Sequence, residues 1–378
     1  MTDTSLALYL HFPFCLQKCG YCSFVSYPAR LDCLADYVKC LRKEIKSRAS
    51  GLYFHSLYFG GGTPSLLSPS QVADILAGIR AVAHLLPDAE ITFEANPGTL
   101  AMPYLPEIKS LGINRLSLGI QSFSDAELTM LGRLHNAGKA REAYKQARAA
   151  GFNNISLDLI YGLPDSTVSS FKKNLAEALA LAPEHISLYG LTLEEDTPMY
   201  RQVQEGLLPE INAETAADQY QAAEDILAKA GYRHYEISNW AKPGYESRHN
   251  LTYWQNRPYL GLGAAGHSFL ENWRLANTSS LDEYLNSWQN DLPPKPSENI
   301  YVDLENQLAE TIILGLRLDK GITAENIENR FGQHVMDKYF PVIQECTGLG
   351  LLEKSDGCIS LTPRGRLLSN EVFWRFLP

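Results

Sequence analysis

Three cysteines, Cys15, Cys19 and Cys22, fall in the stretch HFPFCLQKCGYCSF at the spacing C-x3-C-x2-C. Thiolates this close suit soft-metal chemistry: three of them can hold an iron–sulfur cube through three of its four irons and leave the fourth iron open to a ligand. A structural zinc ion normally closes with four ligands, and the one nearby candidate, His11, points to the opposite strand face if its neighbours alternate. The remaining cysteines, Cys33, Cys40, Cys346 and Cys358, are scattered, and the total of seven is odd. In a cytosolic chain that pattern favours a metal or redox site over a disulfide framework.

Other chemically able residues follow apolar runs. GGGTP, Gly60 to Pro64, is a glycine turn that lets backbone approach a small ligand, or is simply a tight strand-to-helix turn. Glu94, Gln121, Arg133 and Asp158 together suggest a lined pocket, with carboxylates for an ammonium or ribose hydroxyls and Arg133 for a carboxylate; a lone acid in such a place is more often a cap or ion-pair partner. Tyr9, six positions before Cys15, packs on a ligand or serves as core. RHNLTYW, Arg248 to Trp254, sets an imidazole, His249, beside a tyrosine and a tryptophan, which can ligate haem iron and cover a flat macrocycle. The plainer account is a partly buried loop whose side chains satisfy one another. GLGAAG, Gly261 to Gly266, spells a dinucleotide fingerprint, but no helix pattern follows to receive a pyrophosphate, so that reading is rejected.

The elements that position these residues alternate. Apolar, strand-like runs start at Leu6, Ser56, Ile91, Arg115, Ile155 and Ile186, and between them lie amphipathic helical patterns such as LADYVKCLRKEIKSRA, PSQVADILAGIRAVAHLL, AGKAREAYKQARAAG and VSSFKKNLAEALALA. About six such repeats predict an α/β fold with parallel strands and right-handed crossovers, a complete or partial barrel or an open doubly wound sheet. In either, the candidate residues sit at the strands' C-terminal ends, where active sites lie. The rhythm changes beyond Glu210: a helix ETAADQYQAAEDILAKAG, a run HYEISNW, then loop-rich sequence, with PPKPS near Pro293 as a linker. The chain divides as a β/α core over 1–210, a barrel-extending region over 211–292, and a helical module over 293–378 that ends in a hairpin and helix.

The 378 residues carry 33 Lys and Arg against 43 Asp and Glu, a formal charge of −10, so nucleic acid is a poor partner. No run approaches the ~20 apolar residues that span a bilayer, and MTDTSLALYLHF lacks a basic leader, so direct membrane insertion is not expected and a cytoplasmic protein is.

The cysteine spacing beside an aromatic, directly after the first strand of a β/α series, resembles the radical SAM superfamily. The blocks LYLHFPFC, GGGTPSLL, EANPG, GIQSF, LGR, DLIYGLP and HNLTYW resemble its coproporphyrinogen III oxidase-like branch, and within it the haem-chaperone group. The resemblance implies a partial (β/α)6 TIM-like barrel with a small α+β, winged-helix-like C-terminal module. It implies a [4Fe–4S] cluster on Cys15, Cys19 and Cys22, and S-adenosylmethionine held by Tyr9, Gly61, Gly62, Thr63 and Glu94. Gln121, Arg133 and Asp158 would lie deeper, where the dehydrogenases of the branch contact a second S-adenosylmethionine. His249 would contact haem, with His267 as a weaker rival. The implied function is haem uptake and delivery to haem-requiring partners such as respiratory enzymes; productive S-adenosylmethionine cleavage, and a second copy of the chain as partner, stay open. The alternative is the oxygen-independent coproporphyrinogen III oxidase, a dehydrogenase of porphyrin biosynthesis. That activity is disfavoured because those enzymes have a further cysteine where this chain has Phe24, and an N-terminal extension where 14 residues precede Cys15.

Overall fold

The computed structural model describes residues 5–100 and 103–378. The first four residues of the stretch read for a leader lie outside that range. Six parallel strands form the centre: β1 (Leu6–Phe12), β2 (Tyr53–Gly61), β3 (His84–Ala95), β4 (Arg115–Gln121), β5 (Ile155–Tyr161) and β6 (His185–Gly190). Further strands extend the sheet at both ends: β7 (Arg233–Glu236) and β8 (Asn239–Ala241) beyond β6, and β9 (Tyr259–Leu262), β10 (His267–Leu270), β11 (Trp273–Ala276) and β12 (Glu298–Tyr301) beyond β1. The order is β12-β11-β10-β9-β1-β2-β3-β4-β5-β6-β8-β7, an open, partial radical SAM-type barrel. β12 lies past PPKPS yet pairs with β11, so sheet membership continues beyond residue 293.

Side chains alternate along the central strands, as a pleat demands. Leu8, Leu10 and Phe12, Leu57 and Phe59, Ile91 and Phe93, Leu116 and Leu118, Leu157 and Leu159, and Ile186 and Leu188 are buried in one core. Each such side chain contributes about 1.5–3 kcal/mol by leaving water. The intervening residues are polar: Tyr58, Glu94, Arg115, Ser117, Asp158 and Ser187 line a cavity. A closed eight-stranded barrel fills its interior with branched aliphatics, whereas this open sheet carries polar groups there and keeps a well.

The crossover helices form where their caps dictate. Ser68 and Gln71 make a reciprocal capping box at the start of Pro69–Val82, and Thr167 and Ser170 do so for Val168–Ala180. The first of these helices stops at Val82, four residues before Leu86, the end of the run its periodicity suggests. His84 and Leu85 instead pair with Tyr53 and Phe54, and Pro87 biases its predecessor away from helix.

The C-terminal segment has its own core, including Ile312, Leu316, Ile343, Cys346 and Phe376. Over it lies a small sheet of β13 (Ile322–Thr323), β14 (Leu352–Ser355) and β15 (Cys358–Leu361), in the order β13-β15-β14. Asp356 and Gly357, at φ 51° and 79°, make the tight turn of the expected hairpin.

Candidate functional site

The cysteine loop leaves the C-terminal end of β1 and is pinned by backbone bonds. Tyr27 N–H donates to the Pro13 carbonyl at 2.7 Å, Cys22 N–H to Cys19 at 3.2 Å, and Met199 N–H to Gly20 at 2.8 Å. The turn after β2 lies directly against it: Gly62 N–H donates to Phe12 at 2.8 Å and Thr63 N–H to Phe14 at 2.7 Å. A Cβ on Gly62 would sit 2.5 Å from the Phe14 carbonyl oxygen and 3.0 Å from Cys15 Sγ. Gly61 has φ 112°. GGGTP is therefore glycine-rich because the thiol loop rests on it.

All three thiols are free and half-buried. Thr63 Oγ1 donates to Cys15 Sγ at 3.4 Å and Arg133 Nη1 to Cys19 Sγ at 3.5 Å. Burial pushes the Cys22 thiol pKa up. His11 does not join them; its ring spans the Tyr9 hydroxyl at 3.0 Å and the Val25 carbonyl at 3.2 Å.

Below the loop opens a cavity of about 410 Å³, within the range of sites for drug-sized ligands. Cys15, Cys19, Cys22, Gly61, Gly62, Thr63, Glu94, Gln121, Arg133 and Asp158 all line it. Glu94 accepts from the Tyr58 hydroxyl at 2.7 Å, and burial raises its carboxyl from 4.5 to about 7. Asp158 is also raised, by burial first, although Ser117 donates to it at 2.9 Å and Ser156 at 3.2 Å. Gln121 sits at φ 68° beside a register shift between β4 and β5, a bulge that re-aims its side chain. Arg133 Nη2 donates to the Gly119 carbonyl at 2.7 Å, bringing that guanidinium to the same rim.

Tyr9 and His249 are not on this cavity's wall. Tyr9 stacks on Tyr58 with ring centroids 6.0 Å apart. RHNLTYW is a helix, Arg248–Trp254, not the loop of the plainer account. Ser247 caps its start, and the Glu90 carboxylate takes the Arg248 and His249 amides at 3.1 Å each. His249 is 1% exposed; its Nδ1 meets Ser56 Oγ at 3.0 Å and its Nε2 the Tyr253 hydroxyl at 2.8 Å. Burial, then His55 and Arg115, lower its pKa to about 3. The ring thus has no free nitrogen, and from this helix it is Asn250 that reaches the cavity. His267 opens β10 and is exposed.

GLGAAG begins inside β9, and its residues 263–266 form the turn into β10, with no helix after it. Its Gly263 amide donates to the buried Glu44 carboxylate at 2.8 Å, so a protein anion holds the place a pyrophosphate would need.

Sequence reasoning missed Tyr58, Arg115, Ser117, Ser187, Tyr189 and Asn250 on the cavity wall. The signal for several was period two: in RLSLGIQ and SLYFGG every second residue is polar or glycine, which a wholly buried strand does not tolerate unless one face is a site.

Residues 9–178 match the radical SAM superfamily model and residues 302–368 the HemN C-terminal domain model. A Bacillus subtilis protein named "heme chaperone HemW" is 35% identical over 98% of this chain and 98% of its own length. The chain belongs to the HemW family of the radical SAM superfamily. The Escherichia coli HemW is 40% identical over 69% of each chain, and the bovine mitochondrial "radical S-adenosyl methionine domain-containing protein 1" 38% identical over 85% of this chain and 75% of its own. Among solved structures, the coproporphyrinogen III oxidase HemN of Escherichia coli superposes at TM-score 0.86 with 24% identity, covering 99% of this chain and 90% of that one, which establishes the shared fold.

The superfamily implies a [4Fe–4S] cluster and S-adenosylmethionine, and the residues fit both. Among the described residues no three His, Cys, Asp or Glu groups converge on a single ion. A cube takes each thiolate on a different iron, and Cys15, Cys19 and Cys22 are free and line one cavity. Next to the thiols stand glycine backbone, Thr63 and a carboxyl, Glu94, on one open cavity.

Proposed function

We propose that this chain is a haem chaperone that takes up haem and passes it to haem-requiring proteins such as respiratory enzymes. Cys15, Cys19 and Cys22 would hold the [4Fe–4S] cluster, and the cavity would hold S-adenosylmethionine. The observation that carries the reading is the end-to-end likeness to HemW relatives, joined to Phe24 where the dehydrogenases have a further cysteine. Phe24 is 67% exposed beside the thiol loop. No described helix is long and apolar enough to cross a membrane.

When bound, the cluster would supply electrons to a sulfonium ligand on its open iron. The chain's own residues do the rest. Thr63 and Arg133 donate toward thiolate sulfur and lower its charge density, while Glu94 gives up its proton to pair with an ammonium. Gln121, Arg133 and Asp158 extend the same wall for ribose hydroxyls or a carboxylate.

For the haem contact we keep His249 and His267 as rivals with different costs. His249 must first release Tyr253 and Ser56, whereas His267 is already exposed. Titrating the purified protein with haemin and following the Soret band tests the reading, alongside an anaerobic assay on coproporphyrinogen III. Stoichiometric binding that weakens in His249→Ala or His267→Ala, with no protoporphyrinogen formed, is expected. Protoporphyrinogen formation would make the chain a dehydrogenase.

A further inference from the structure

The floor of the well carries a guanidinium with a buried, unpartnered nitrogen. Arg115, the first residue of β4, is 2% exposed and lines the cavity. Its Nε is buried without a partner, and the guanidinium lies on the cavity wall. The acids that share its field, Glu90, Glu94 and Asp158, are bonded elsewhere, Glu94 to the Tyr58 hydroxyl. Glu90 accepts from Ser247 and from the amides of Arg248 and His249; Asp158 accepts from the hydroxyls of Ser117 and Ser156. Leaving a charged N–H donor buried and unmade is costly, and native interiors rarely do it without a reason.

We propose that Arg115 is a second carboxylate anchor of this cavity, on its floor where Arg133 serves the rim: its planar fork receives a carboxylate of a ligand whose body fills the well between the floor and the thiol loop. A guanidinium pairs bidentately with a carboxylate. The acid-lined wall, with Glu94 and Asp158, disfavours a doubly charged phosphate, and the rings of Tyr58 and Tyr189 flank an apolar body. Within the proposed function two ligands bring such a group: haem, through a propionate, and S-adenosylmethionine, through its aminoacyl end. The inference rests on that function only for its choice of probes.

The experiment compares wild type, Arg115→Gln and Arg115→Lys as full-length, anaerobically reconstituted protein. The probes are haemin against haemin dimethyl ester, and S-adenosylmethionine against its decarboxylated form. Arg115→Gln should weaken the carboxylate-bearing probe by about tenfold to a hundredfold, the worth of a charged hydrogen bond, while the ester or decarboxylated probe binds all three proteins alike. Arg115→Lys should recover part of the loss. A response to haemin alone identifies a propionate, and a response to S-adenosylmethionine alone the aminoacyl carboxylate. The unliganded Arg115→Gln protein should melt at or above the wild-type temperature, since the Nε it loses is unpartnered. A lowered melting temperature with both affinities unchanged would make Arg115 a structural counter-charge and overturn the proposal, as would wild type binding neither probe. Wild type that takes up S-adenosylmethionine but no haemin sinks the chaperone reading alone, and the S-adenosylmethionine arm still decides Arg115.

Discussion

The thiol loop and the RHNLTYW helix hold the densest chemistry in each half of the chain, yet they occupy opposite positions. On the loop, three free thiols face open space, and the surrounding backbone is spent on pinning the loop rather than on filling it. On the helix, the imidazole is buried and both its nitrogens are engaged. Reactive residue types mark a site only when the fold leaves their hydrogen-bonding or ligating capacity unused; where the fold uses it, the same types are wall.

The strongest way to break this contrast is at a thiol. Cys19→Ala should abolish the brown colour and the iron retained after anaerobic iron and sulfide reconstitution, and retained iron at the wild-type level would detach the loop from metal. Next in size is Gly62→Ala. Its added methyl meets the Phe14 carbonyl and Cys15 Sγ, so most of the cluster should be lost along with about 1–3 kcal/mol of stability, read by iron content and urea unfolding.

His249→Ala sharpens the other side. If the helix is wall, the change opens a hole and strands Ser56 and Tyr253, costing about 2–4 kcal/mol without touching cluster content. The folded ring protonates only near 3 but the unfolded ring near 6.5, so wild-type stability falls as the pH drops through that window, and His249→Gln should flatten the fall.

Glu94 gives a smaller, pH-dependent signal. Its folded carboxyl keeps its proton up to about 7 against 4.5 when unfolded, so its contribution to stability is present below 4.5 and drains away as the pH rises to about 7. A cationic ligand needs the ionised form. Affinity for S-adenosylmethionine should therefore climb between about pH 6 and 8, and Glu94→Gln should bind weakly and without that slope. The smallest effect is expected from Ser247→Ala, about 1 kcal/mol for a lost helix cap.

Much of this was legible in the sequence because alternation of strand and helix leaves only parallel topologies, and because residues at strand C-terminal ends must gather there. Cys15, Gly62, Glu94 and Gln121 share one cavity for that reason, whereas Asp158, expected at a strand end, reaches it from the middle of β5. Arg115 was not legible as a site residue, since it begins its strand and only the open barrel admits its long side chain to the well from below. The helical form of RHNLTYW was hidden because its stabilisers, the Glu90 carboxylate and the Ser56 hydroxyl, lie more than 150 residues away in sequence. Likewise β12 is exposed along its length and falls in the span read as the helical module; pairing with β11 makes it a strand of the large sheet.

Electron paramagnetic resonance of the reconstituted, reduced protein, with and without S-adenosylmethionine, addresses the central claim most directly. The expected result is a [4Fe–4S] signal whose shape changes when S-adenosylmethionine is added and which vanishes with Cys19→Ala. A cluster signal indifferent to S-adenosylmethionine, or zinc as the only metal retained by the loop, would contradict it.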